Sequence, residues 1–478
     1  MTFTSTEIWL ALPEIYLTAA LCVVLLFDLF FADRNPGRTA TFTLLVLLVG
    51  AVLASRQVID GRQVILGGMY VADRLSSLLK TGAFLFTAMA LFYSRNYLAR
   101  RGLQKGEFYI LSLTGLLGVL VLASAANLTT VYVGIELLAL SAYAIVAFDR
   151  ESGVGAEAAM KYFVLGAIAS GTLLYGMSVL YGITGTLDLG ALTSRLGDAP
   201  GLGFTLAAAF IVAAIAFKFG AVPFHMWVPD VYQGAPTASA TLIATVPKFA
   251  YFAVAFRFLA EGLASQTAQW SQMLAILATL SVVAGNVIAI SQTSLLRMLA
   301  YSAISNAGFV LLGFASGTGG GYSAALYYTF AYVLTTVGAF AVVLLASRDG
   351  KEATELDDYK GLHQRDPLLA GAMAVVMFST AGIPPFVGFW AKLSIIQALL
   401  GGGQLWLAII AVVASVIGAF YYLRVVWLMY FEAPADQPAL TKATGMKVVL
   451  AVNALAVLAL GIVPEQLLAL CRQVIPGG

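Results

Sequence analysis

Apolar residues run along this chain in long stretches, separated by short polar or glycine-rich interruptions. Crossing a hydrocarbon layer as a helix takes roughly 20 mostly apolar residues, and about fourteen stretches meet that rule. They cover Ile8–Phe31, Thr39–Ser55, Asp73–Tyr93, Glu107–Ala125, Leu128–Phe148, Ala156–Tyr181, Phe204–Trp227 and Ser239–Ala260. The others are Trp270–Ile290, Leu295–Ala315, Tyr322–Ala346, Leu368–Leu400, Leu405–Phe431 and Met446–Leu470. Asn127 and Gln292–Ser294 mark tight turns between neighbouring helices. The pattern predicts an all-α polytopic membrane protein with about 14 transmembrane helices.

Two of these runs are interrupted in the same way. The first reads Gly220-Ala221-Val222-Pro223-Phe224-His225-Met226-Trp227 and the second Gly382-Ile383-Pro384-Pro385-Phe386-Val387-Gly388-Phe389-Trp390. A second pair, Ala159-Met160-Lys161-Tyr162 and Ala325-Leu326-Tyr327-Tyr328, gives nearly the same displacement. That displacement holds five spans, and an odd number inverts the second copy against the first. Two inverted five-helix repeats, each with a broken helix, are the sequence mark of an ion-transporting fold. Proline removes a backbone donor and clashes with the carbonyl four residues back, so the freed backbone must be buried in protein or face water. The expected organisation is an N-terminal three-helix segment (1–105), a first repeat of spans four to eight (106–265), a second repeat of spans nine to thirteen (266–432) and a last span (433–478).

The polar positions inside the apolar runs carry the chemistry. Glu136, Lys218, Lys248 and Lys392 have apolar neighbours on both sides and no interface within reach. A charge at the bilayer centre costs roughly 2.5–3.5 kcal/mol or more, so such groups face a bundle interior and mark an ion path. Burial disfavours an ammonium and a nearby carboxylate favours it. A Glu136–Lys218 pair would therefore hold a proton with an affinity set by its separation. The bland readings are a protonated, hydrogen-bonded Glu136 and static ion pairs for the lysines. Both breaks sit beside a lysine, Lys218 before Pro223 and Lys392 after Pro385, and Lys248 follows Pro247.

Lesser candidates surround these four. His225, just past the first break, titrates near neutral pH and could relay protons, or serve as a structural histidine. Asp230 could serve a half-channel or cap a turn. Tyr132, Tyr143, Thr245, Ser302, Ser305 and Asn306 could link sites through hydroxyl and amide groups, or pack between helices. Lys80, Lys161, Arg257 and Arg424 are expected to reach toward the interface, and Glu14 and Asp28 to lie at the ends of the first span. Most of the 21 tyrosines and 6 tryptophans are belt and packing residues.

Composition narrows the class. The chain has 478 residues, 60% of them hydrophobic and only 10% charged, where a soluble domain carries about 25% charge. A net charge of +2 makes no case for nucleic acid. Cys22 and Cys471 lie far apart in apolar surroundings, which excludes an iron–sulfur ligand set and argues against a disulfide. His225 and His363 cannot build a metal site by themselves. Gly317–Gly321 follows a helical run and reads as a turn rather than a nucleotide cradle. No cofactor is expected in this chain, and no cleavable signal peptide stands out. Arg34, Arg38, Arg95, Arg100, Arg101, Lys105, Arg150, Arg348, Lys351, Lys360, Arg365 and Lys442 fall in odd-numbered loops. Basic loops stay cytoplasmic, so both termini are expected on the outer side. Glu352–Lys360, the most charged segment, reads as a solvated loop.

The segment Phe217-Lys218-Phe219-Gly220-Ala221-Val222-Pro223-Phe224-His225-Met226-Trp227-Val228-Pro229-Asp230-Val231-Tyr232-Gln233-Gly234-Ala235-Pro236-Thr237 resembles the antiporter-like subunits of respiratory complex I, relatives of multi-subunit Na⁺/H⁺ antiporters. The resemblance covers nearly the whole chain and extends through Arg297-Met298-Leu299-Ala300-Tyr301-Ser302 and Gly382–Lys392. Val231-Tyr232, where other branches and the antiporters tend to have Ala-His, resembles the N-type branch, and Lys392, where the M-type tends to have glutamate, resembles the N- or L-type. No long extension like the lateral helix of the L-type follows the last span. The resemblance implies a proton-translocating subunit of the bacterial inner membrane. In it Glu136 and Lys218 form the charged pair of a first half-channel, Lys248 connects, and Lys392 serves a second. It also implies that NADH, FMN, iron–sulfur clusters and quinone bind other subunits, and that the M-, K- and J-type membrane subunits are partners. Asn306 departs from the family, since many relatives have histidine there, and asparagine cannot titrate. The rival readings are a free-standing cation/proton antiporter subunit, a solute symporter, for which no substrate ligands are visible, and a scaffold, which has no use for four mid-membrane charges.

Overall fold

The computed structural model describes residues 4–31, 36–57, 59, 61–197, 201–348, 352–434 and 443–475. Arg34, Lys351 and Lys442, used above to orient the loops, lie outside the described residues. Among the described residues, thirteen helices are long and apolar enough to cross a membrane, and the shorter apolar helices Pro367–Ala381 and Val387–Gly401 together fill the twelfth run. Helix is what these stretches must form, because hydrocarbon offers no partner for an open backbone N–H or C=O. One small exception to an all-α chain is a hairpin of Gln63–Ile65 with Tyr70–Ala72 between the second and third spans.

Contacts divide the chain into two compact units, 1–95 with 102–218 and 246–273, and 96–101 with 219–245 and 274–478. In the first unit the helices Gly106–Ala123 and Leu128–Val146 pack closest. They can do so because a Cβ at Gly118 would lie 2.7 Å from the Leu138 nitrogen and 3.0 Å from the Gly134 oxygen. In the second unit, Gly319–Ala346 is the central helix, almost wholly buried and packed by Leu295–Ala315, Thr237–Thr245 and Val387–Gly401.

The internal repeat is visible in backbone detail. Asn127 bridges Asp188 and Ser294 bridges Glu355, with equal displacement between the two bridges. The same displacement carries Gly118 onto Gly285, where a Cβ would lie 2.7 Å from the Ser305 nitrogen and 2.9 Å from the Tyr301 oxygen. Both breaks begin at a left-handed glycine, Gly220 at φ 78° and Gly382 at φ 89°, and both contain a cis X–Pro bond.

Several boundaries differ from the sequence pattern. The seventh run was expected to reach Trp227, but its helix ends at Phe219, and Trp227 opens a separate short helix to Gly234. The left-handed Gly220, with its Cβ position 2.6 Å from a Val228 methyl, turns the chain there. The last run stops at Ile462, and Glu465–Val474 follows beyond Pro464 as a polar-faced helix packed on Gly319–Ala346. Of the glycine run, Gly317 makes the turn while Gly319–Gly321 already belong to the next helix, capped by Thr318.

Candidate functional site

Helix Leu128–Val146 starts where the Asn127 side chain accepts from the Thr129 N–H. It places Glu136 half-buried near its middle, with Oε1 buried and without a hydrogen-bond partner among the described residues. Lys218 is the last residue but one of its helix, two before Gly220, and is 7% exposed. Its ammonium reaches only the Ser170 hydroxyl at 3.5 Å and the Phe217 ring at 5.9 Å. Glu136 acts on Lys218 through space, yet among the described residues no ion pair at contact distance joins them. The pair is open.

Beside Lys218 is a cavity of about 10 Å³, room for about one water, lined by Ile135, Leu173, Ala214, Ile215, Lys218, Tyr251 and Val254. Tyr251 links this cavity to the second lysine. Lys248, 5% exposed, lies one turn earlier on helix Pro247–Ala255 with its Nζ 5.9 Å from the Tyr251 ring. Tyr251 also shares a hydrogen bond with Tyr162, whose ring meets Tyr143 edge-on at 4.8 Å. The first unit therefore gathers Glu136, Lys218 and Lys248 around a tyrosine cluster.

The second unit holds the third lysine in other surroundings. Lys392, 8% exposed, donates to the Ala381 carbonyl at 3.0 Å and lies 5.4 Å from the Phe309 ring. A cation there meets the negative end of the helix that stops at Gly382. Asn306 accepts from the Tyr328 hydroxyl at 2.6 Å and donates to the Ser302 carbonyl at 2.7 Å. His225 is half-buried, bonds the Pro223 carbonyl and leaves Nδ1 unpaired among the described residues. Asp230 pairs with Arg297 at 3.3 Å.

Three charged positions do not lie where the sequence suggested. Lys80 does not reach toward an interface. It is 1% exposed, bonds Glu14 Oε1 at 2.7 Å and the Tyr70 hydroxyl at 2.6 Å, and so draws Glu14 inward as well. Tyr70 in turn donates to the Leu10 carbonyl or Glu14 Oε2, each at 3.0 Å. Burial pushes the Tyr70 phenol up to about 12, so it stays neutral. Arg257 is likewise 1% exposed, held by Asp73 at 2.7 Å and Glu261 at 2.9 Å. Glu352 also leaves solvent, bonded by Thr237 at 2.7 Å, by Arg101 at 3.3 Å and by the Tyr97 hydroxyl. Arg424 reaches the Ile290 and Gln292 carbonyls, capping a neighbouring helix end. Among the described residues, no group of three His, Cys, Asp or Glu side chains could hold a metal ion.

Residues 125–418 match the family described as NADH:quinone oxidoreductase/Mrp antiporter, transmembrane. The NADH-quinone oxidoreductase subunit N of Thiobacillus denitrificans is 50% identical over 467 residues, covering 97% of each chain. A chain of respiratory complex I from Thermus thermophilus, solved with bound aureothin, superposes with a TM-score of 0.82 at 32% identity, over 98% of this chain and 100% of that one. A chain of the Mrp complex from Dietzia superposes with a TM-score of 0.84 at 24% identity, over 98% and 97%, a likeness of fold.

Proposed function

Because this chain belongs to the NADH-quinone oxidoreductase subunit N family, we propose that it is a proton-translocating membrane subunit of an NADH:quinone oxidoreductase, driven by redox chemistry in other subunits. The observation that carries the residue assignment is the open Glu136–Lys218 pair: Lys218 is buried beside a water-sized cavity with no carboxylate at contact distance among the described residues, and Glu136 Oε1 has no hydrogen-bond partner among them. Unit charges ~4 Å apart attract by about 4 kcal/mol at an effective dielectric near 20, which is about three pKa units at ~1.36 kcal/mol each. Closing the pair makes Lys218 hold its proton, and opening it makes Lys218 give the proton up. In this reading Lys218 passes its proton to Lys248, with Tyr251 between them, and Lys392 serves the second unit. His225 is a further relay.

The chain works as part of a translocase and carries no redox centre of its own. NADH, FMN, iron–sulfur clusters and quinone belong to other subunits, and the M-, K- and J-type membrane subunits are its neighbours. It lies in the bacterial inner membrane with both termini on the periplasmic side. The test is proton pumping, followed with a pH dye in vesicles alongside quinone reduction, for Glu136, Lys218, Lys248 and Lys392 variants. Wild-type pumping by Lys218→Ala would reject the assignment. The family also includes antiporters, and co-purification with NADH dehydrogenase activity separates that reading from this one.

A further inference from the structure

Helix Gly153–Thr184 packs on both helices of the open pair. At Gly166 it leaves room for the Tyr143 hydroxyl of Leu128–Val146, the helix that carries Glu136. At Gly176 it closes on Gly201–Phe219, the helix that carries Lys218, where a Cβ would lie 3.1 Å from the Ala207 oxygen and 3.0 Å from the Ile211 side chain. Gly166, Ser170, Leu173 and Gly176 follow one another at helical spacing along its buried face. The glycine contacts on either side of Ser170 therefore fix its backbone against both helices.

Ser170, 5% exposed, uses its hydroxyl differently from its neighbours. Thr172 and Thr184 of the same helix each donate to the carbonyl four residues back at 2.8 Å, and Ser112 and Ser141 do the same on the two helices before it at 2.6 and 2.8 Å. Among the described residues Ser170 makes no such bond, and its oxygen accepts from the Lys218 ammonium at 3.5 Å. The contact is long, and among the described residues it is the one hydrogen bond that the ammonium makes. An ammonium withdrawn from water needs an acceptor, and a neutral hydroxyl is a weaker one than a carboxylate. Ser170 thus offers Lys218 a resting place away from Glu136 without outbidding the carboxylate. Lacking that hydroxyl, the open position would offer the ammonium a phenyl ring and a water-sized cavity, and the closed pair would win.

We propose that Ser170 is the positioning residue of the pair: its hydroxyl holds the Lys218 ammonium in the open position and keeps open and closed arrangements near enough in free energy for both to be occupied. The proposal rests on the reading of Glu136 and Lys218 as the proton-holding pair. It is tested by proton pumping per quinone reduced, with the whole complex in vesicles. Ser170→Ala should pump several-fold less than wild type. Ser170→Cys keeps the volume but offers a weak acceptor, so it should lose as much, whereas a packing role would spare it. In a Glu136→Gln background no carboxylate competes for the ammonium, so adding Ser170→Ala should change pumping little. In the structure of the assembled Ser170→Ala complex the Lys218 ammonium should stand at contact distance from a Glu136 oxygen. Wild-type pumping by an assembled Ser170→Ala or Ser170→Cys complex would overturn the proposal. So would an equal loss in the Glu136→Gln background, or a pair still open without the hydroxyl. If Ser170→Ala does not assemble, Ser170→Cys is read in its place. Wild-type pumping by Lys218→Ala would instead reject the reading of the pair itself, whatever the Ser170 variants gave.

Discussion

Two buried glutamate–lysine pairs in the first unit differ in one respect. Glu14 and Lys80 are closed at 2.7 Å, with the Tyr70 hydroxyl bonding both. Glu136 and Lys218 are open: among the described residues no ion pair at contact distance joins them, the ammonium reaches only the Ser170 hydroxyl and the Phe217 ring, and a small cavity adjoins Lys218. The first arrangement fixes a hairpin and two helix starts, and gains nothing by moving. The second leaves electrostatic energy that a small displacement can change. Burial of a charge identifies both, and only the separation tells a staple from a switch.

The largest way to break this comparison is at the open pair. On the proposed assignment, Lys218→Ala should abolish or sharply reduce pumping in vesicles while the complex still assembles, because it removes the proposed proton site. At the closed pair the effect should be on stability. Lys80→Ala strands Glu14 in a buried site and should cost about 3–5 kcal/mol, read from thermal unfolding of the solubilised complex. Glu14→Leu with Lys80→Met should recover most of that. Lost pumping in an assembled Glu14→Leu/Lys80→Met complex would show that the staple moves charge after all. Glu136→Gln keeps the shape of the open pair and removes its charge, so pumping should fall less than in Lys218→Ala, and an equal loss would mean that the carboxylate is a proton site in its own right. The smallest effect belongs to the exposed pair Glu157–Lys161, closed at 2.7 Å but solvated. Lys161→Ala should change stability by less than about 0.5 kcal/mol, and a larger change would mark a contact beyond the pair.

The two repeats sharpen the point. The displacement that carries Gly118 onto Gly285 carries Glu136 onto Ala303. The second repeat therefore keeps the helix-packing glycine and lacks the carboxylate, and Lys392 is held by the Ala381 carbonyl rather than facing an acid. One backbone plan is filled with different chemistry in each copy.

The order and length of the spans and the two breaks were legible in the chain, because hydrocarbon forces backbone hydrogen bonds to close within each helix and Gly–Pro signals interrupt that closure locally. The cost of burying charge marked Glu136, Lys218, Lys248 and Lys392 for the same local reason. It failed at Lys80 and Arg257, whose partners Glu14 and Asp73 are distant in sequence, so no local rule could say that these cations are paired inside rather than extended toward an interface. Composition and periodicity thus determined what each helix is and which side chains are expensive to bury. Tertiary structure alone decided which of those side chains meet, since pairing depends on distances of a few ångströms between helices far apart in sequence.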